Sequence, residues 1–258
     1  NQLTGQVPAL SGVGLTNLGE FEVSINQLSG PIPKLDGLTN LGNLFVNNNQ
    51  LSGPIPTLSG VGLGHLASVD VSSNQLSGSL PALNGTNMFS FLASGNKLTG
   101  AIPPLSNVVP NLMYFRVADN QLTGPIPDLS GLPNLIEFYV DFNQLSGPIP
   151  SLDGLTQLTN FWAQNNQLVG PIPPLDTLTS LTWFLVDHNA LNGKVPPPPP
   201  ALQFARLCPN FFDLSPSVPA SIDLAWDAAT HFTPWWSDTN SRCDILLNAS
   251  FQDAPVLK

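Results

Sequence analysis

The stretch "NLIEFYVDFNQLSGPIP", residues 134–150, sets the pattern for most of the chain. Leu135, Phe138 and Val140 stand eight, five and three residues before Asn143. Glu137, Tyr139 and Asp141 fall between the apolar positions, an alternation of period two that marks a short strand with one face inward. The second half, "NQLSGPIP" at 143–150, also stands at 26–33 and 49–56. Close copies of its ending are "TGAIP" at 99–103, "TGPIP" at 123–127 and "VGPIP" at 169–173. A single active site needs no such repetition, whereas a stacked structure must present the same groups to each new layer.

Aligned on Asn-x-Leu, the anchors are Asn1, Asn26, Asn49, Asn74, Asn96, Asn120, Asn143, Asn166 and Asn189, 22 to 25 residues apart. The apolar triad recurs before them, as in Leu18, Phe21 and Val23, or Leu181, Phe184 and Val186. The whole reads L-x-x-L-x-L-x-x-N-x-L, a leucine-rich repeat signature in eight complete copies. Neighbouring triads should pair as parallel strands centred near Val23, Val46, Val71, Ala93, Val117, Val140, Ala163 and Val186. The anchors from Asn26 to Asn189 should form a ladder inside the stack, since a carboxamide both donates and accepts where water cannot reach. After each anchor, glycines such as Gly30 permit a left-handed backbone, Ile32 and its equivalents point inward, and the prolines hold the return extended.

The L-x-G-x-I-P form over residues 1 to about 196 resembles the plant-type leucine-rich repeat of plant receptor ectodomains and polygalacturonase-inhibiting proteins. The resemblance implies a second short strand per repeat and a superhelical twist. "PIPKL", "PIPTL" and "PIPDL" have one residue between Pro and the next Leu where the family usually has two. The expected fold is therefore an α/β-type solenoid, mostly β. It is a curved, right-handed array with a parallel concave sheet, an irregular or 3₁₀ convex side and a disulfide-closed C-terminal cap.

Two regions are expected, the solenoid over 1–196 and a Pro-rich junction with a capping segment over 197–258. "KVPPPPPA" at 194–201 ends the repeats, because consecutive prolines are stiff and cannot continue a sheet. The tail carries Trp226, Trp235, Trp236 and both cysteines, Cys208 and Cys243, and offers a short helix near 220–229. It reads as a segment folded over the open core of the last repeat. A Cys208–Cys243 bond fits an exported protein, two buried thiols being the alternative. The tail is similar to the endings of exported bacterial repeat proteins. At the other end the chain starts on an anchor, so it reads as a processed or trimmed piece. Its first turn is then covered by a missing cap or another domain. Asn84-Gly85-Thr86 and Asn248-Ala249-Ser250 match the glycosylation pattern.

Only 9% of residues are charged and the net charge is −10, which leaves no basic patch to neutralise phosphates. Nucleic acid is therefore not an expected partner. No run reaches the length of a membrane span, so no membrane insertion is expected in this segment. The histidines, His65, His188 and His231, form no metal-spaced pair, and no catalytic motif appears. The reading is a non-enzymatic module without catalytic residues, cofactor or metal, secreted or extracellular.

Recognition is expected on the concave face. Six residues before the anchors stand Glu20, Asn43, Ser68, Ser90, Tyr114, Glu137, Asn160 and Trp183. Four before stand Glu22, Phe45, Asp70, Leu92, Arg116, Tyr139, Trp162 and Leu185. Two before stand Ser24, Asn47, Ser72, Ser94, Ala118, Asp141, Gln164 and Asp187. The second half is richer in aromatics, and Phe142 and His188 stand directly before their anchors. The candidate binding residues are Phe45, Tyr114, Arg116, Glu137, Tyr139, Asp141, Phe142, Trp162, Trp183, Asp187 and His188. Grouped exposed aromatics suit a binding surface. Stacking on one another for stability is the simpler alternative, as are a local salt bridge for Arg116 and a rim pair for Asp187 and His188. A protein or peptide ligand is the leading expectation. A glycan on the aromatic strip comes second, and an ice- or surface-binding role last, because the uneven repeat spacing argues against a regular array.

Overall fold

The computed structural model describes residues 1–10, 14–58, 62–83, 87–212 and 225–229. Both glycosylation patterns, Trp235, Trp236, His231 and Cys243 lie wholly or partly outside these residues. The described chain is a mostly-β solenoid of about nine turns built on two parallel sheets. Each turn gives one strand to each sheet, and successive turns lie side by side in both.

The first sheet has nine strands: Glu20–Glu22, Asn43–Phe45, Ser68–Asp70, Ser90–Leu92, Tyr114–Arg116, Glu137–Tyr139, Asn160–Trp162, Trp183–Leu185 and Phe204–Arg206. We number turns by these strands. Their centres fall two residues earlier than the sequence suggests, on Phe138 rather than Val140. The third apolar residue still joins the ladder, as in Val140 N to Trp162 O at 2.8 Å. Two residues later the chain turns through a left-handed residue, Phe142 in turn six with φ 50°. The bend thus cuts the strand short on that side.

The expected boundary at residue 196 lies inside the array. Phe204–Arg206 pairs with Trp183–Leu185, and Phe211–Phe212 pairs with Ala190–Gly193. A ninth turn is therefore written as Leu202, Ala205, Leu207 and Asn210, with Ala205 and Leu207 buried. Beyond it, residues 225–229 form a helical turn whose Trp226 is fully buried and donates from Nε1 to Pro196 O at 2.9 Å.

Both sequence and packing explain the core. The second position of the triad is phenylalanine from turn four to turn eight, and Phe91, Phe115, Phe138, Phe161 and Phe184 stack with centroids 5.5 to 5.9 Å apart. All are essentially inaccessible. Such pairs contribute about 0.5–1.5 kcal/mol each beyond the area they bury. Leucines at a spacing of three, such as Leu152, Leu155 and Leu158, line the outer side of the core.

That outer side is made of separate turns, Leu155 N to Leu152 O at 3.2 Å and Leu158 N to Leu155 O at 3.0 Å among them. No 3₁₀ segment occurs among the described residues, so of the two expected forms the irregular one is observed. Uneven repeat length is absorbed here: the outer segment 105–112 is one residue longer than 35–41.

The second sheet has ten strands, of which Gln27–Gly30, Gln121–Gly124 and Gln144–Gly147 are typical. Each of these three buries its leucine between two outward residues, then reaches a glycine such as Gly147 at φ +78°. A Cβ there would have ordinary room, 3.5 Å from Pro125, so it is the backbone angle that selects glycine. Proline follows and ends the ladder for want of an N–H.

Inside each turn the anchor asparagine links layers. Asn143 Oδ1 accepts from Leu122 N at 2.9 Å, and Nδ2 donates to Val117 O, Val140 O and Asp141 O at 3.0 to 3.1 Å. The same bond to the preceding turn's leucine amide is made by Asn26, Asn49, Asn74, Asn96, Asn120, Asn166, Asn189 and Asn210.

Candidate functional site

The outer face of the nine-stranded sheet carries the residues between the buried triads. Its two halves differ. In turns one to three the polar groups satisfy one another. Ser24 Oγ donates to Asn47 Oδ1, Asn43 Nδ2 to Glu20 Oε2 at 3.2 Å, and Ser72 N to Asp70 Oδ1 at 2.9 Å. Phe45 stands in this half, in register with Asp70 and Glu22, three strands from the other candidates.

Turns five to seven hold a connected aromatic and ionic group. Arg116 donates to Glu137 Oε2 through Nε at 2.7 Å and also through Nη2. Its guanidinium lies over the Tyr139 ring, 4.9 Å from the centroid. Tyr139 in turn lies flat on Trp162, with centroids 4.1 Å apart and planes 6° apart. Asn160 Nδ2 donates to the Tyr139 hydroxyl at 3.1 Å. Burial, reinforced by the Glu137 carboxylate, pushes the Tyr139 phenol up to about 12, so it stays protonated. Side-chain stacking and a local salt bridge thus account for Arg116, Glu137, Tyr139 and part of Trp162.

Trp183 belongs to a second group. It packs at 4.8 Å, tilted by 39°, on Phe204 of the ninth strand, and Arg206 lies 5.7 Å over the Phe204 ring. Phe204 and Arg206 were not legible as site residues, because their turn follows the proline run. The signal was present in the spacing of Leu202, Leu207 and Asn210. Tyr114 is half-buried on strand five and sits in neither ring pair.

Along the third column the structure brings Asp141, Gln164 and Asp187 together on three consecutive turns, all buried. Gln164 Nε2 donates to Asp141 Oδ2 at 3.2 Å, and His188 Nδ1 contacts Asp187 Oδ2 at 2.8 Å. Burial is the main force pushing the Asp141 carboxyl up to about 6. The carboxylates of Asp119 and Asp187 add to it, and a hydrogen bond from its own backbone opposes it. Phe142 and His188 flank this column in left-handed conformations, and the Phe142 side chain is 53% exposed. A bulky residue held in that region is a conformation usually left to Gly or Asn.

Among the described residues no group of three or more His, Cys, Asp and Glu is placed to hold a metal ion, and no helix is long and apolar enough to cross a membrane. Cys208 is buried at the end of the third column, next to Asp187 in sequence register.

No family model and no curated protein matches the chain. Solved structures do. A TDR receptor is 34% identical with a TM-score of 0.72, over 81% of this chain and 37% of that one. The Arabidopsis receptor kinase HAESA, solved with the peptide hormone IDA and the co-receptor SERK1, is 29% identical with a TM-score of 0.71, over 81% and 36%. A plant ice-binding protein is 27% identical with a TM-score of 0.64, over 82% and 71%. The chain thus spans little more than a third of the length of the two receptors. Repeat motif, two-sheet register and these likenesses agree: the chain carries the plant-type leucine-rich repeat, in the solenoid fold of plant receptor ectodomains.

Proposed function

We propose that the chain is an extracellular recognition module that binds a peptide or an extended protein segment on the nine-stranded sheet, across turns five to nine. One observation carries this reading. Polar groups of the first turns pair with one another, whereas those of the later turns leave buried hydrogen-bonding atoms open beside aromatic side chains: Asp141 Oδ1, Trp162 Nε1, Gln164 Oε1 and Asp187 Oδ1. An unpaired buried polar atom costs about 1–3 kcal/mol, a cost a ligand relieves. Ectodomains of this fold solved with peptide hormones support the ligand class. They also support the extracellular location. Tyr114, Phe142, Trp162 and Trp183 supply the contact area, with Phe204 extending it. The Cys208–Cys243 bond and the capping role of the tail belong to the same exported module. Panning a peptide display library on the folded protein tests the reading. Selected peptides should lose at least tenfold in affinity on Tyr139→Ala with Trp162→Ala, and unchanged affinity would place the site elsewhere.

A second reading rests on the other sheet. Ser29, Ser52, Ser77, Thr99, Thr123 and Ser146 follow the buried leucines of six successive strands, and Thr4 follows the exposed Leu3 at the start of the sheet. Gln27, Gln50, Gln75, Gln121, Gln144 and Gln167 precede theirs and are exposed. The irregular repeat lengths fall on the outer side, and the register of this sheet is regular, each hydroxyl residue lying beside the glutamine or lysine of the next strand, as Ser29 beside Gln50, Ser77 beside Lys97 and Thr123 beside Gln144. That removes the objection from uneven spacing. The likeness to a plant ice-binding protein, of which the chain spans 71%, favours an ice-binding role for this sheet. Thermal hysteresis that disappears when Ser77, Thr99 and Thr123 become leucine supports it, and no hysteresis in the parent chain removes it.

A further inference from the structure

The open atoms on the later turns share one chemistry in the third column. Asp141, Gln164 and Asp187 are only 6%, 9% and 4% exposed, and each keeps one side-chain oxygen without a partner. Their other atoms are engaged, Gln164 with Asp141 and Asp187 with His188. What remains is a row of three buried acceptors, on strands about 4.8 Å apart. Beside it, Trp162 lies two residues before Gln164, hence on the same face, and its Nε1 is a buried donor without an acceptor. The same column in the first turns shows no such demand, since Ser24 and Asn47 bond to each other.

We propose, on the basis of the peptide reading above, that the Asp141–Gln164–Asp187 column receives a cationic side chain of the bound peptide. The guanidinium of arginine is the group it fits, and Trp162 Nε1 donates to a backbone carbonyl of the same peptide. A guanidinium offers several N–H donors in a plane, enough to bridge acceptors on adjacent turns. It is weakly hydrated and lies readily on an indole face. An ammonium reaches fewer of the acceptors. A single metal ion fails on distance. Asp141 and Asp187 are two strand spacings apart, about 10 Å, whereas two oxygens on one calcium ion lie within about 5 Å of each other. Anionic ligands are repelled by Asp119, Asp141 and Asp187, and the net charge of −10 steers cations toward the protein. This is a specificity element of opposite sign to Arg116, which is already occupied by Glu137.

The probe is N-acetyl-arginine methylamide, titrated into the whole chain against its neutral isostere, the citrulline analogue. The readout is the indole N–H resonance of Trp162, assigned by its loss in Trp162→Phe. The arginine compound should give a saturable shift in the millimolar range and the citrulline compound one at least tenfold weaker. Asp141→Asn and Asp187→Asn should each weaken the arginine compound at least fivefold while the remaining amide spectrum keeps its dispersion. Equal affinity of the two compounds, no binding of either, or unchanged affinity in both variants overturns the proposal. Display peptides separate it from the broader reading. Peptides that need Tyr139 and Trp162 but show no enrichment of Arg or Lys remove the cationic site and leave peptide binding intact, whereas no selected peptide at all removes both.

Discussion

Replacing Asp141 by Asn should stabilise the ligand-free protein at neutral pH. Asp141 is 6% exposed, its Oδ1 has no partner, and its Oδ2 takes one bond from Gln164. The charged or titratable groups around it are Asp119, Asp187 and His188, with Tyr139 and Arg116 in the adjoining column. The carboxyl is raised from 3.8 to about 6 in the folded state, chiefly by desolvation. The folded protein therefore binds the proton more tightly than the unfolded chain does. Its stability falls as pH rises from about 4 to about 6 and is level above that, a loss of about 2–3 kcal/mol for a two-unit shift. Asn is nearly isosteric and carries no charge, and its amide can donate to the open Gln164 Oε1. Urea unfolding followed by circular dichroism between pH 4 and 8 measures the difference. Asp141→Asn should be more stable than the parent by about 2 kcal/mol at pH 7.5, with the gap closing toward pH 4. A variant less stable at pH 7.5, or a gap that does not close in acid, would show that the Asp141 charge does not strain the fold. A residue that destabilises the free fold while its replacement weakens ligand binding is a residue retained for function.

Asn143→Ala should destabilise the array by about 2–3 kcal/mol, because it strands the Leu122 amide in the core and frees three carbonyls; chemical denaturation measures it. Ile25→Asn should stabilise by about 1 kcal/mol, since a β-branched residue 65% exposed is held at φ 56° where Asn is tolerated; the same unfolding assay checks it. A thiol titration of the folded protein under non-reducing conditions should find no reactive thiol, and two would contradict the Cys208–Cys243 bond.

Much of the fold was legible because a repeat states its physics many times. The apolar triads, the anchor column and the outward columns follow from period and spacing alone, and the ladder bonds are what a buried carboxamide in a turn must make. The second strand of each turn entered only through family resemblance, since Gln-Leu-Ser-Gly carries too few residues to show a period. Turn nine is masked in the sequence because the proline run precedes it and Ala205 stands where the stacked phenylalanines lead one to expect a large residue. The site was harder. Column membership told which side chains share a face but not which would pair. Tyr139 lies on Trp162 and Trp183 on Phe204 because of rotamer and strand twist. For the same reason the open oxygens of Asp141, Gln164 and Asp187 could not be read from their letters. Gln164 in particular looked like an ordinary polar residue in its column.

The later turns of the nine-stranded sheet are the proposed binding surface. This is tested most directly by cross-linking a display-selected peptide, carrying a photoreactive diazirine, to the whole chain and locating the attached residues by mass spectrometry. Attachment should concentrate at Tyr114, Phe142, Trp162, Trp183 and Phe204 and be lost on competition with unlabelled peptide. Specific, competed attachment confined to the ten-stranded sheet, at Gln121, Thr123 or Gln144, would contradict it.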